Sequence, residues 1–110
     1  MPLPNADHAV VDEAKIRGYL LSPAHPVGRF KARFFVSLGY TAEEWRRLRD
    51  DILELARTGQ VSLETHGPYG RKFEVDGILG GPSGRSAMVR SVWIIRMEED
   101  FPRLVTVFPR

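Results

Sequence analysis

Residues 22–35 read SPAHPVGRFKARFF and bring His25, Gly28 and Lys31 close together. An imidazole titrates near neutral pH and can give or take a proton, while an ammonium steadies developing negative charge. The first amides of a helix have no internal acceptors and, with the helix dipole, favour an anion. Pro26 has no N–H, so Val27 and Gly28 are the amides expected to be free, with Gly28 removing side-chain bulk beside them. A histidine, a lysine and two amides at a helix start suit a phosphate. Metal-free RNA cleavage asks for such a set: a base for the 2′-hydroxyl, a cation for the charged phosphorus intermediate and an acid for the leaving oxygen. His25 is the candidate acid or base and Lys31 the candidate cation. Plainer readings stand beside these: His25 as a capping residue, and Lys31 snorkelling its ammonium into water from the edge of an apolar stripe.

Later residues extend the list. Thr106, in the run RLVTVFP, is expected between Leu104 and Phe108 on one strand face. There it is β-branched filler or a hydroxyl offered to phosphate. Arg29 and Arg90 are candidates for guiding a polar substrate, and Trp93 alternates away from Arg90 in its strand, where a core position is the plain reading. Metal signals are poor. His8, His25 and His66 lack zinc spacing, and there is no cysteine. Glu74 and Asp76 share a strand face and could hold Mg²⁺, though alternating charge usually marks a wet sheet face. No cofactor is expected.

The elements that must position these groups follow from period and punctuation. Helical patterning runs to about Gly59 and strand patterning follows, which predicts an α+β domain, residues 1–110. Its N-terminal helices (about 12–58) pack on one face of a four-stranded antiparallel sheet (about 61–108). A first helix is expected over 12–21, with Asp12 as cap, and Ser22-Pro23 ends it. The second spans 26–37 with Pro26 at its first position and Gly39 past its end. Val27, Phe30, Phe34 and Leu38 fall on one side at about 100° per residue, so that side is expected to face the sheet with Lys31 among them. Arg29 and Arg33 point away. Thr41 to Glu44 is a capping box opening a third helix, whose stripe is Trp45, Leu48, Ile52 and Leu55. Arg46, Arg47 and Arg49 lie off it, as a solvated face. Strands are expected at 61–66, 71–79, 86–96 and 103–108, with turns at 67–70 and 80–84. The glycines at 80–84 lack the ending and setting of a phosphate loop.

Composition bounds the class. A chain of 110 residues, 43% hydrophobic and 27% charged, suits one folded domain with a modest core. No apolar run reaches the roughly 18 residues of a membrane span, the opening MPLPNADH lacks signal-peptide character, and no membrane partner is expected. Absent cysteine fits a reducing compartment, so a cytoplasmic location is expected. Net charge is only +2, but of the 16 basic residues Lys15, Lys31 and Lys72 alone are lysines and the rest are arginines. Arginine suits phosphate, while genomic base composition explains the bias equally well.

The segments LPNADHAVVDEAKIRGYLLSPAHPVGRFKARFFVSLGY, YGRKFEVDG, GRSAMVRSVW and PRLVTVFP resemble the bacterial domain-of-unknown-function family 6883. Beyond that family, the layout is similar to bacterial ribonuclease toxins. These include RelE-like and colicin-type nucleases and the toxic tips of contact-dependent inhibition proteins. This resemblance points to His25, Gly28, Lys31 and Ala32 in the helix and to Arg90, Trp93 and Thr106 in the sheet. It implies a metal-independent RNA endonuclease of toxin type, with RNA and a small acidic antitoxin or immunity-type protein as partners. The alternative is a non-catalytic partner-binding module of a two-protein complex. Fold analogy alone does not decide between them.

Overall fold

The computed structural model describes residues 2–110. Leu3, buried in the core, Asn5, which donates to the Asp100 carbonyl, and Val10 anchor the N-terminal segment. The Val10 backbone bonds on both sides. Its N–H donates to Pro102 O at 2.9 Å and its carbonyl accepts from Leu104 N at 3.0 Å, a parallel bridge to Arg103 that lays this segment along the last strand. The chain then turns into α1 (Glu13–Lys15) and continues as a π-helical turn over Ile16–Leu20, closed by Leu21 N to Ile16 O at 2.8 Å. The expected uniform helix over 12–21 therefore changes register within two turns. Asp12 takes the cap position without a side-chain bond.

Helix α2 spans Gly28–Ser37, starting two residues after Pro26 rather than at it. Of the expected stripe of Val27, Phe30, Phe34 and Leu38, only the C-terminal half packs inward: Leu38 is buried and Phe34 is half-buried against the core. Gly28, Ala32 and Phe35 are buried, whereas Val27 and Phe30 are 55% and 60% exposed. Small side chains at Gly28 and Ala32 let the helix approach its neighbour closely, and Phe35, fully buried, fills the depth beside them with Leu38 and part of Phe34. Lys31 lies on the flank of this face, half-buried.

Helix α3 spans Trp45–Thr58 and buries Trp45, Leu48, Ile52 and Leu55 as the period requires, plus Ala56. Thr41 Oγ1 accepts from Glu44 N–H at 3.2 Å, the forward half of the capping box, and the helix begins one residue later. Tyr40, 1% exposed, donates its hydroxyl to Asp51 Oδ2 at 2.7 Å and so ties the end of α2 to α3. Burial and that carboxylate push the Tyr40 phenol well above its ordinary value.

Strands β1 (Gln60–Gly67), β2 (Gly70–Gly80), β3 (Ser86–Arg96) and β4 (Arg103–Pro109) form one antiparallel sheet in sequence order. Each lies within about two residues of its expected bounds. Phe73, Val75, Val89, Trp93, Leu104 and Val107 face the helices and join Phe35, Leu48 and Ile52 in one core. The fold is α+β, with helices packed on an antiparallel sheet. No helix of the described residues is long and apolar enough to cross a membrane.

A bulge in β4 corrects the expected face of Thr106. Val92 pairs with Thr106 but Trp93 pairs with Leu104, so Val105 is the extra residue. Leu104 and Val107 consequently both reach the core, and Thr106 shares the opposite face with its partner Val92.

Candidate functional site

The N-terminal segment runs along β4, so the π-helical turn lies beside that strand and carries Tyr19 to it. Tyr19 Oη and Thr106 Oγ1 are 3.2 Å apart. From the α2 side, the His25 ring meets the Tyr19 ring edge-on at 4.9 Å. Lys31 Nζ stands 5.6 Å from the centre of that ring and Lys15 Nζ 5.3 Å from it. Tyr19 is thus the hub through which His25, Lys31 and Thr106 are brought together.

Sequence reasoning missed Tyr19 and Lys15. The signal available was their i,i+4 spacing, which puts both on one helix face. Burial pushes the Tyr19 phenol up, but hydrogen bonds with Thr106 and Lys31 and the charges of Lys31 and Lys15 outweigh it. Its value is held below the ordinary one.

His25 differs from expectation in what it does with the helix start. Val27 N–H and Gly28 N–H both donate to its Nδ1, at 3.0 and 2.9 Å. These amides are therefore not free for a phosphate; the imidazole caps them. Nδ1 is an acceptor here, so the ring proton sits on Nε2 and that edge remains to donate outward. Gly28 also has a different role from the one expected. A Cβ there would lie 2.0 Å from Tyr19 O, so its missing side chain admits the π-helical turn rather than an anion.

The remaining candidates stand apart. Arg29 lies about 160° around α2 from Lys31, where with Arg33 it borders an apolar groove of about 530 Å³ formed with Leu21, Pro23, Val36 and Tyr40. Arg90 is engaged by carboxylates on the open face of the sheet: Asp76 accepts from Nε and Nη2 at 2.8 and 3.1 Å, and Glu74 lies 3.1 Å from Nη1. A metal ion on Glu74 and Asp76 would have to displace that guanidinium. Trp93 is 0% exposed and donates Nε1–H to Ser91 Oγ at 2.8 Å, so it is the core residue that strand alternation suggests, and the substrate contact implied by the resemblance is corrected.

The Asp76 network gives a pH-dependent prediction. The Arg90 hydrogen bonds, against opposing burial, hold the Asp76 carboxyl below its usual range, helped by the charges of Arg90 and Arg110. A value depressed in the folded state means stability that is complete above the ordinary aspartate value of about 3.9 and lost as pH falls through the folded value. Asp76→Asn should lower the urea midpoint at pH 7, and its difference from the parent should shrink below about pH 4. A difference independent of pH would refute the assignment.

The α+β layout of helices packed on a four-stranded antiparallel sheet is shared by a solved structure. A chain of a contact-dependent growth inhibition toxin–immunity protein complex from Klebsiella pneumoniae 342 superposes with a TM-score of 0.72 and 18% identity, covering 92% of this chain and 99% of that one. At that identity the likeness is one of fold. The chain belongs to the family described as a domain of unknown function, DUF6883, which it matches over residues 2–110. None of the curated proteins matches it.

Proposed function

We propose that the chain is a metal-independent RNA endonuclease of the bacterial toxin kind, cleaving by attack of the 2′-hydroxyl and leaving a 2′,3′-cyclic phosphate. One observation carries the reading. Lys15 and Lys31 converge on Tyr19, and neither takes part in any ion pair among the described residues, whereas Arg90 is fully engaged by carboxylates. Two ammonium groups gathered without counter-ions, beside the outward N–H of His25, suit a phosphodiester. In this reading Lys31 stabilises the charge on phosphorus, His25 binds through Nε2–H, and the Thr106 hydroxyl is auxiliary. Arg29 guides the strand from the far side of α2. Arg90 and Trp93 lie outside the substrate path.

The test is incubation with total RNA in EDTA. Wild type should fragment it, and Lys31→Met and His25→Ala should each slow cleavage about 10²–10³-fold, the usual cost of losing one charge-stabilising donor. Lys31→Met keeps the aliphatic stem and should unfold at the same temperature. Intact RNA, or cleavage unchanged in both variants, would defeat the reading.

The second reading, a non-catalytic partner-binding module, draws on the groove beside Arg29 and Arg33, whose charge suits an acidic immunity-type protein. A chain of the same fold stands in a toxin–immunity complex. Under this reading RNA stays intact and Arg29→Glu with Arg33→Glu abolishes binding of the partner.

A further inference from the structure

We propose that Tyr19 is the proton acceptor of this site, taking the proton of the attacking 2′-hydroxyl, and that His25 binds phosphate without acting as the base. The inference rests on the phosphodiester reading above and adds the division of labour within it.

Geometry limits His25 first. Its Nδ1 lone pair is held by two backbone N–H groups at 3.0 and 2.9 Å, and in that tautomer Nε2 already carries the proton. No lone pair is left to receive another. Freeing one requires giving up both caps of α2, the helix that positions Lys31.

Tyr19 has what His25 lacks. Its hydroxyl lies beside the Thr106 hydroxyl, which can donate to a phenolate, and its ring is approached by the Lys15 and Lys31 ammonium groups at 5.3 and 5.6 Å. Lys15 comes from α1, Lys31 from α2, and His25 from the segment preceding α2. Among these facing groups the lysines favour the ionised phenol, and its lowered value agrees with the placement. Its position within a π-helical turn, a distortion that recurs at functional sites, gives the same residue a backbone reason to stand out.

The step balances without a metal. The Tyr19 phenolate takes the 2′-hydroxyl proton as the 2′-oxygen bonds to phosphorus. The bond from phosphorus to the 5′-oxygen then breaks. That oxygen takes a proton from solvent water, and the hydroxide left behind recovers the proton from Tyr19. Lys31 and the Nε2–H of His25 hold the non-bridging oxygens throughout.

Two measurements test this. Near-ultraviolet absorbance of tyrosinate during a pH titration, as the difference between wild type and Tyr19→Phe, isolates Tyr19 from Tyr40 and Tyr69. The midpoint should fall below the ordinary value of about 10 and move upward in Lys31→Met and in Thr106→Val. A midpoint at or above the ordinary value overturns the proposal. Cleavage of a short single-stranded RNA in EDTA is the second. Wild-type kcat should rise with pH toward that midpoint, and Tyr19→Phe should lose about 10²–10⁴-fold together with the rise. Thr106→Val, which keeps the shape of the side chain, should shift the pH profile alkaline. Equal cleavage and an equal profile in Tyr19→Phe would overturn the role of Tyr19 while leaving the nuclease reading intact. No cleavage by wild type would overturn both.

Discussion

Gly28→Ala should destabilise the protein by about 3 kcal/mol or more and abolish the cluster around Tyr19, although it adds a single methyl group to a helix. Alanine is normally the better helix former, by roughly 0.5–1 kcal/mol. Here the added Cβ would lie 2.0 Å from Tyr19 O, 2.8 Å from Tyr19 C and 3.0 Å from Tyr19 Cδ1. Backbone cannot give way as a flexible side-chain tip would, so α2 must lift from the π-helical turn. Lifting it separates Lys31 and His25 from the Tyr19 ring and opens the layer over Phe35. Gly18→Ala, in the same π-helical turn, is the control. Its Cβ meets nothing within 4 Å, so this variant should be neutral or slightly stabilising. Thermal unfolding of the two variants side by side checks the pair. Equal stability would show that α2 does not need its close approach.

That close approach also marks where the sequence stopped being readable. Strand patterning placed the sheet well because alternation and the Gly67 to Gly70 turn are local signals, and the α3 stripe followed from the period. Two bulky apolar residues, Val27 and Phe30, drew the expected buried face of α2 away from Gly28, Ala32 and Phe35. Hydrophobic pattern rewards bulk, whereas this interface selects small side chains at the contact. The bulge at Val105 is equally silent: one extra residue sends Thr106 to the other face with nothing in the composition to announce it. Tyr19 was hidden for a related reason. Its partners come from three separated segments, and the π-helical turn that aims it is not encoded in a helical period. His25, Gly28 and Lys31 stood out because they lie within seven residues of chain, yet what each does with its neighbours was not legible. The amides assigned to an anion were already engaged by His25 Nδ1.

Trp93 offers the sharpest contrast between a residue of the fold and a residue of the site. It stands opposite Phe73 on β2 and Leu104 on β4, fully buried, and its indole N–H reaches Ser91 Oγ at 2.8 Å while Ser91 donates to Val75 O at 2.9 Å. This short polar chain satisfies every donor in it inside the core, the condition under which buried polar groups are tolerated. Trp93→Ala should cost about 3–5 kcal/mol, from lost burial plus an unfilled cavity. Set against a total of about 5–15 kcal/mol for an ordinary domain, that loss populates the unfolded state and shows as a large fall in the urea midpoint. Trp93→Phe separates the two roles. It keeps a ring in the core but removes the indole N–H and part of the volume, for about 1–3 kcal/mol. A core residue predicts lower stability with the proposed RNA cleavage, per folded molecule, unchanged, because Trp93 is not among the groups that surround Tyr19. A substrate-stacking residue predicts the reverse: stability retained and KM raised. Urea unfolding and steady-state cleavage on the same preparation read both quantities, and a raised KM at unchanged stability would return Trp93 to the substrate path.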